Sequence, residues 1–204
     1  MQIKLSDHFT YKKLLRFTLP SVMMMIFTSI YGVVDGFFIS NYVGVIPFAA
    51  VNLIMPFLML LATVGFMFGT GGSALVAMLL GRGEKERANG IFSFLVYVLA
   101  AVGIIFTVLG FVFLPEVSRM LGASEEMLPY CVMYGRIVLF SLTLFMLQIS
   151  FQDYLVVAER PKLGFYTTLA AGCTNMLLDA FLVGYLSMGV TGAALATCIS
   201  ETVG

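Results

Sequence analysis

Residues 14–40 read LLRFTLPSVMMMIFTSIYGVVDGFFIS, and this run decides the fold. At about 1.5 Å per residue it reaches beyond the roughly 30 Å of a bilayer's hydrocarbon core, so it predicts a transmembrane helix. Asp35 lies inside it. A second apolar run, Leu163–Tyr185, carries Asp179 in the same way. An ionisable group near mid-bilayer costs about 2.5–3.5 kcal/mol on insertion scales, so it faces a cavity or a partner and marks an ion or substrate path, or else anchors helix packing.

Composition agrees with these two runs. Sixty per cent of the 204 residues are hydrophobic and 11% charged, against about 25% charged in soluble domains. The mean hydropathy is +1.02. The chain reads as an integral membrane protein. Eleven basic residues balance eleven acidic ones, and no basic patch exists for nucleic acid. Cys131, Cys173 and Cys198 are scattered in or beside apolar runs and suggest neither a disulfide framework nor a metal site. The first apolar run is too long for the h-region of a cleavable signal peptide.

Six apolar segments follow one another: 14–41, 47–80, 89–114, 129–155, 163–186 and 189–204. Between them lie Gly81–Arg87, Pro115–Glu126 and Glu159–Lys162, while the connectors at 42–46 and 187–188 carry no charge. In lipid only helices or closed barrels satisfy their backbone, and barrel alternation is absent. The expected fold is all-α and polytopic, with six transmembrane helices.

Orientation follows from charge. Lys4, Lys12, Lys13, Arg16, Arg82, Lys85, Arg87, Arg160 and Lys162 share one face, nine of the eleven basic residues. Arg119 lies on the other face, and Arg136 falls within the outer part of helix four, near the headgroups. The positive-inside rule places the N-terminus in the cytoplasm and the chain in the cytoplasmic (inner) membrane. Counting from the outer ends, Asp35, Asp179 and Thr197 all lie about six to eight residues deep, in the outer half.

Helical spacing groups the polar residues further. Asn175 and Asp179 share a face, as do Tyr31 and Asp35, Ala193 and Thr197, and Thr197 and Glu201. Carboxylates, an amide oxygen and a hydroxyl at one depth suit a proton or a small hard cation; soft metals would want thiolate or imidazole. If Asp35 and Asp179 meet, they titrate as a coupled unit. His8, in the polar N-terminal segment, reads as solvated.

Pro20 interrupts the backbone bonding of helix one and can kink or hinge it, or serve packing alone. Gly32 and Gly36 flank Asp35 as a small-xxx-small pair that admits a neighbouring backbone, and Gly65 and Gly69 repeat the pattern in helix two. Fourteen Met and nineteen Phe either line an adaptable pocket or face lipid. Asn52, Gln148 and Gln152 call for interhelical partners.

Pro20, Tyr31, Val34-Asp35-Gly36-Phe37-Phe38-Ile39, Gly81-Arg82-Gly83-Glu84-Lys85, Asn175-Met176-Leu177-Leu178-Asp179 and Gly189–Thr197 together resemble the N-terminal lobe of multidrug and toxic compound extrusion (MATE) transporters. The resemblance runs from about residue 14 to the end of the sequence. It implies one lobe of a two-lobe transporter of about twelve helices, with residues 1–204 as the N-terminal lobe, helix six cut short, and the C-terminal lobe outside this chain as its partner. It also implies export of cationic or amphipathic drugs in exchange for Na⁺ or H⁺, with no cofactor. Asp35, Asn175, Asp179 and Thr197, with the Ala193 carbonyl, would form the ion site; Pro20 and Tyr31 would support bending of helix one. Glu201 matches no core motif of the family.

Three other readings are weaker. A lipid-linked oligosaccharide flippase of the same superfamily would carry cationic residues in its cavity, and only Arg136 is a candidate. An intramembrane enzyme would need a Gly-x-Gly-Asp context, a Ser–His pair or a metal-ligand set, so no catalysis is expected. A non-transporting assembly subunit would have no use for two buried carboxylates at matching depth.

Overall fold

The computed structural model describes residues 11–204; His8 and Lys4 lie outside them. Helix α1 (Tyr11–Phe38) passes into a π-helical turn, π1 (Ile39–Val43). Then come α2 (Val45–Gly81), α3 (Lys85–Met120), α4 (Leu128–Val157) and α5 (Pro161–Leu178), which runs into a second π-helical segment, π2 (Asp179–Tyr185), and finally α6 (Gly189–Val203). Among the described residues five helices are long and apolar enough to cross a membrane: α1 with π1, α2, α3, α4, and α5 with π2. The sixth apolar segment is helical as well, but α6 has 15 residues, about 22 Å of helix. The protein is an all-α, multi-pass membrane protein.

The helices outrun the apolar stretches in the sequence. α3 starts at Lys85, so Lys85-Glu86-Arg87 form its first turn, and Glu84 holds Arg87 in an exposed ion pair at 2.6 Å. Lys, Glu and Arg are good helix formers, so polarity does not end the helix. Glycine does. Gly83 (φ +79°) and Gly122 (φ +98°) terminate α2 and α3 in the left-handed conformation. Each closes a Schellman pair: Gly83 N–H donates to Leu80 O and Glu84 N–H to Leu79 O, then Gly122 N–H to Arg119 O and Ala123 N–H to Ser118 O. Proline does not stop these helices either, since Pro20, Pro56 and Pro115 all lie within them.

α4 is the central element, packed on α2, α3, α5 and α6, and its contact with α2 is the most extensive in the molecule. Tyr134, Leu139, Leu142 and Met146 of α4 are buried with Ile54, Leu58 and Ala62 of α2 and with Ala193 and Ala194 of α6. Glycine permits the approach: a Cβ placed on Gly65 would lie 2.8 Å from Met146 O, and one on Gly69 would lie 3.0 Å from Ser150 Cα. The helix-one pair behaves otherwise. A Cβ on Gly32 would meet nothing within 4 Å, and one on Gly36 only the Phe48 ring at 3.7 Å. The expectation that Gly32 and Gly36 admit a neighbouring backbone is therefore corrected.

α1 is peripheral. It packs chiefly on α5, with lesser contacts to π1 and π2, and 6% of its most apolar stretch is buried, against 44% for α4.

Candidate functional site

A cavity of about 240 Å³ lies between α1, α2, α4, α5 and α6. Its polar lining is Tyr31, Asp35, Asn175 and Thr197, with Ser200 and Glu201 from α6, and its apolar lining includes Met55, Leu58, Met59, Leu142 and Phe145. The Met and Phe content thus contributes part of the wall.

Behind the polar wall is a second tier. Asp179 is fully buried next to Asp35. Tyr134 is fully buried beside Thr197, with Asp35, Asp179 and Glu201 around it. Thr197 Oγ1 donates to the Ala193 carbonyl at 3.1 Å, which orients both oxygens. Among the described residues, every buried side-chain N or O atom left without a hydrogen-bond partner belongs to this cluster: Asp35 Oδ1, Tyr134 OH, Asn175 Oδ1, and both carboxylate oxygens of Asp179. Each such group forgoes about 1–3 kcal/mol relative to a satisfied one. Concentrating five unsatisfied oxygens at one place is what a site for a positively charged ligand requires.

The local backbone sets the geometry. Asn175 is on the last full turn of α5, and Asp179 is the first residue of π2. Asp35 lies one turn before π1, where α1 also loosens. Wider π-helical turns change side-chain direction within a helix and recur at functional sites. Here the two π segments pack against each other and against α6. Each carboxylate is thereby next to a change of helical register.

The structure brings together Tyr31, Asp35, Asn175, Asp179, Ala193 and Thr197. Pro20 lies on α1 about three turns before Tyr31, outside the cavity lining. Three residues complete the site without a role assigned from sequence: Tyr134, Ser141 and Glu201. The α4 register held a signal, because Tyr134, Val138, Ser141, Leu142 and Phe145 follow one helical stripe that faces α6 and the cavity. Gln152 Nε2 donates to Thr168 Oγ1 at 3.0 Å, joining α4 to α5. Asn52 is corrected: it is exposed and its Nδ2 donates at 2.8 Å to Phe48 O in its own helix. Arg136 is exposed and does not line the cavity.

Fold and site together define a multi-pass membrane protein built around an acidic, part-apolar cavity. The MatE family model matches residues 20–181, and the chain belongs to that family. It is 28% identical over 193 residues to the multidrug export protein MepA of Staphylococcus haemolyticus (strain JCSC1435), covering 95% of this chain and 43% of that protein. MepA of Staphylococcus aureus (strain MRSA252) is 26% identical over 191 residues, covering 94% and 42%. The fold also matches the outward-facing structure of a multidrug resistance MATE family transporter of the MOP superfamily, with a TM-score of 0.87, 24% identity, and coverage of 93% of this chain and 42% of that one. The chain thus spans less than half the length of the curated relatives it matches.

Proposed function

We propose that this chain is the N-terminal lobe of a cation-coupled multidrug antiporter, exporting cationic or amphipathic drugs across the cytoplasmic membrane and working with a second helical lobe. The observation that carries the reading is the cluster of partnerless buried oxygens on Asp35, Tyr134, Asn175 and Asp179. The exporters similar to this chain support the multidrug part. A second bundle is the natural partner, because alternating access needs two bodies that rock against each other. The acidic lining disfavours a flippase for pyrophosphate-linked lipids, since among the described residues no basic side chain lines the cavity.

Asp35, Asp179, Asn175, Thr197 and the Ala193 carbonyl are the proposed ion ligands, with Tyr31 supporting α1 and Pro20 giving it compliance. Among the described residues no three His, Cys, Asp or Glu side chains converge at metal-binding spacing. A cation here has to draw on the neutral oxygens of Asn175 and Thr197, which favours Na⁺, with protons competing for the carboxylates. The test is thermal unfolding of the purified chain in lipid nanodiscs, with NaCl or choline chloride at fixed pH. A ligand at about 100 times its Kd stabilises by about 2.7 kcal/mol, and Asp35→Asn should abolish that Na⁺-dependent gain. Retention of the gain in Asp35→Asn would remove the site. Retention in Asn175→Ala and Thr197→Ala would replace Na⁺ by a proton-only reading.

The proposed orientation has its own check. In a background lacking the three native cysteines, Lys85→Cys should label only from the cytoplasm and Glu125→Cys only from outside. Labelling of both from one side would overturn the helix count and the depth assignment.

A further inference from the structure

We propose that Glu201 is the charge-selecting residue of the cavity, the carboxylate that receives the cationic nitrogen of a small lipophilic organic cation while the coupling ion sits at Asp35 and Asp179. The assignment rests on the exporter reading above and adds to it a residue that the resemblance left without a role.

Glu201 lies one turn after Thr197 on α6 and lines the cavity. Its Oε2 accepts a hydrogen bond from Ser141 Oγ of α4, which leaves Oε1 for a ligand. That serine also donates to Val138 O at 3.0 Å, so its one proton is divided between two acceptors and neutralises Glu201 only in part. Among the described residues no basic side chain lines the cavity. Among the described residues no three His, Cys, Asp or Glu side chains are spaced to hold one metal ion together, so a small ion held by the Asp35–Asp179 pair does not take Glu201 as a third ligand. A positively charged ligand would balance its ionised form.

The surroundings select its class. A small hard cation needs several oxygens to replace its water, whereas among the described residues Glu201 is hydrogen-bonded by the Ser141 hydroxyl alone. A large, weakly hydrated organic cation needs one counter-charge and apolar surface, and Met55, Met59, Leu142 and Phe145 supply that surface in the same cavity. The Phe145 ring adds a face for an alkylammonium group. Asn175, 2% exposed and lining the same cavity, has a partnerless Oδ1, so the coupling-ion site and the Glu201 site share one cavity. The volume of about 240 Å³ suits an ion the size of benzyltrimethylammonium.

The experiment compares benzyltrimethylammonium with benzyldimethylamine N-oxide, which has nearly the same shape and no net charge. Both are radiolabelled and measured by equilibrium dialysis against the chain in nanodiscs, with empty nanodiscs as the blank. The unmodified chain should prefer the ammonium by about ten-fold, the scale of one charge-assisted contact, and Glu201→Gln should bring the ratio close to one. A ratio near one in the unmodified chain, or an undiminished ratio in Glu201→Gln, overturns the proposal. If Glu201→Gln does not fold, judged by size exclusion and circular dichroism, Glu201→Asp provides the reading: withdrawing the charge by one methylene should lower the ratio, and an unchanged ratio overturns the proposal. The Na⁺ measurement on Asp35→Asn separates the two readings. Loss of the Na⁺ effect there with the preference intact in Glu201→Gln sinks the assignment of Glu201 alone; the reverse result sinks the ion site alone.

Discussion

The seam between α2 and α4 and the seam between α1 and α5 are both built on glycine, and they differ in what the glycine meets. Gly65 faces the Met146 backbone, with a Cβ there falling 2.8 Å from its oxygen and 2.9 Å from its Cα. A Cβ on Gly172 of α5 would meet ring edges instead, Phe27 Cε1 and, at 2.9 Å, Tyr31 Cδ1. Backbone against backbone leaves no torsion that can yield, so α2 and α4 form one body. Rings can turn about χ1 and χ2, so α1 can change its fit on α5 without either helix unwinding. The cavity lies where the yielding seam adjoins the rigid one, as the proposed coupling of ligand binding to movement would need.

Gly65→Val breaks this comparison hardest. The added methyls meet Met146 main chain, and overpacking of this kind costs typically about 1–3 kcal/mol, with the upper end expected where no side chain can move aside. Thermal unfolding of the purified chain should show the loss, or the variant should fail to accumulate. A melting temperature within about 2 °C of the parent would show that α2 and α4 slide past each other and that the rigid half of the contrast is wrong.

Gly172→Ala sharpens the same contrast at a smaller scale. Phe27 has to leave its rotamer, a cost of about 0.5–1.5 kcal/mol. Because the clash is with a ring, Phe27→Ala in the same chain should remove that cost, giving a coupling energy of similar size in a double-mutant cycle. Additive effects would mean that the α5 backbone, and not the Phe27 ring, takes the strain.

Much of this was legible in the sequence because lipid leaves so few options. Apolar runs longer than the bilayer have to be helical, and an aspartate within one has to face something polar, so Asp35 and Asp179 could be placed at one depth before any contact was known. The four-residue spacings Asn175–Asp179 and Ala193–Thr197 then supplied their neighbours. Tyr134 and Ser141 were legible only as members of one α4 stripe, without a role. A buried Tyr on an apolar helix looks like core, and only its place beside Thr197, with the three carboxyl groups around it, makes it part of the site. The π turns at Ile39–Val43 and Asp179–Tyr185 were also hidden, since nothing in FFISNYV or DAFLVGY distinguishes a five-residue hydrogen-bond closure from a four-residue one. The small-xxx-small pattern was ambiguous in a third way. Spacing alone cannot distinguish Gly65–Gly69, which does face a backbone, from Gly32–Gly36, which does not.

Gly32→Ala is therefore the mildest and most discriminating change. Gly32 is exposed, lies mid-helix, and its Cβ would meet nothing within 4 Å. Within the lobe no steric term opposes the methyl, and replacing Gly by Ala inside a helix favours the helix by about 0.8–1.0 kcal/mol in water-exposed hosts. The variant should melt at the parent temperature or slightly above it, opposite in sign to Gly65→Val although both replace the first glycine of the same motif. If Gly32→Ala instead destabilised the chain by more than about 1 kcal/mol, a value in the range of lost close packing, some surface would have to close over Gly32 in the membrane. α1 would then belong with the rigid body, and the freedom assigned to the α1–α5 seam would have to be sought elsewhere, with the π turns beside Asp35 and Asp179 as the remaining place where the backbone itself can change register.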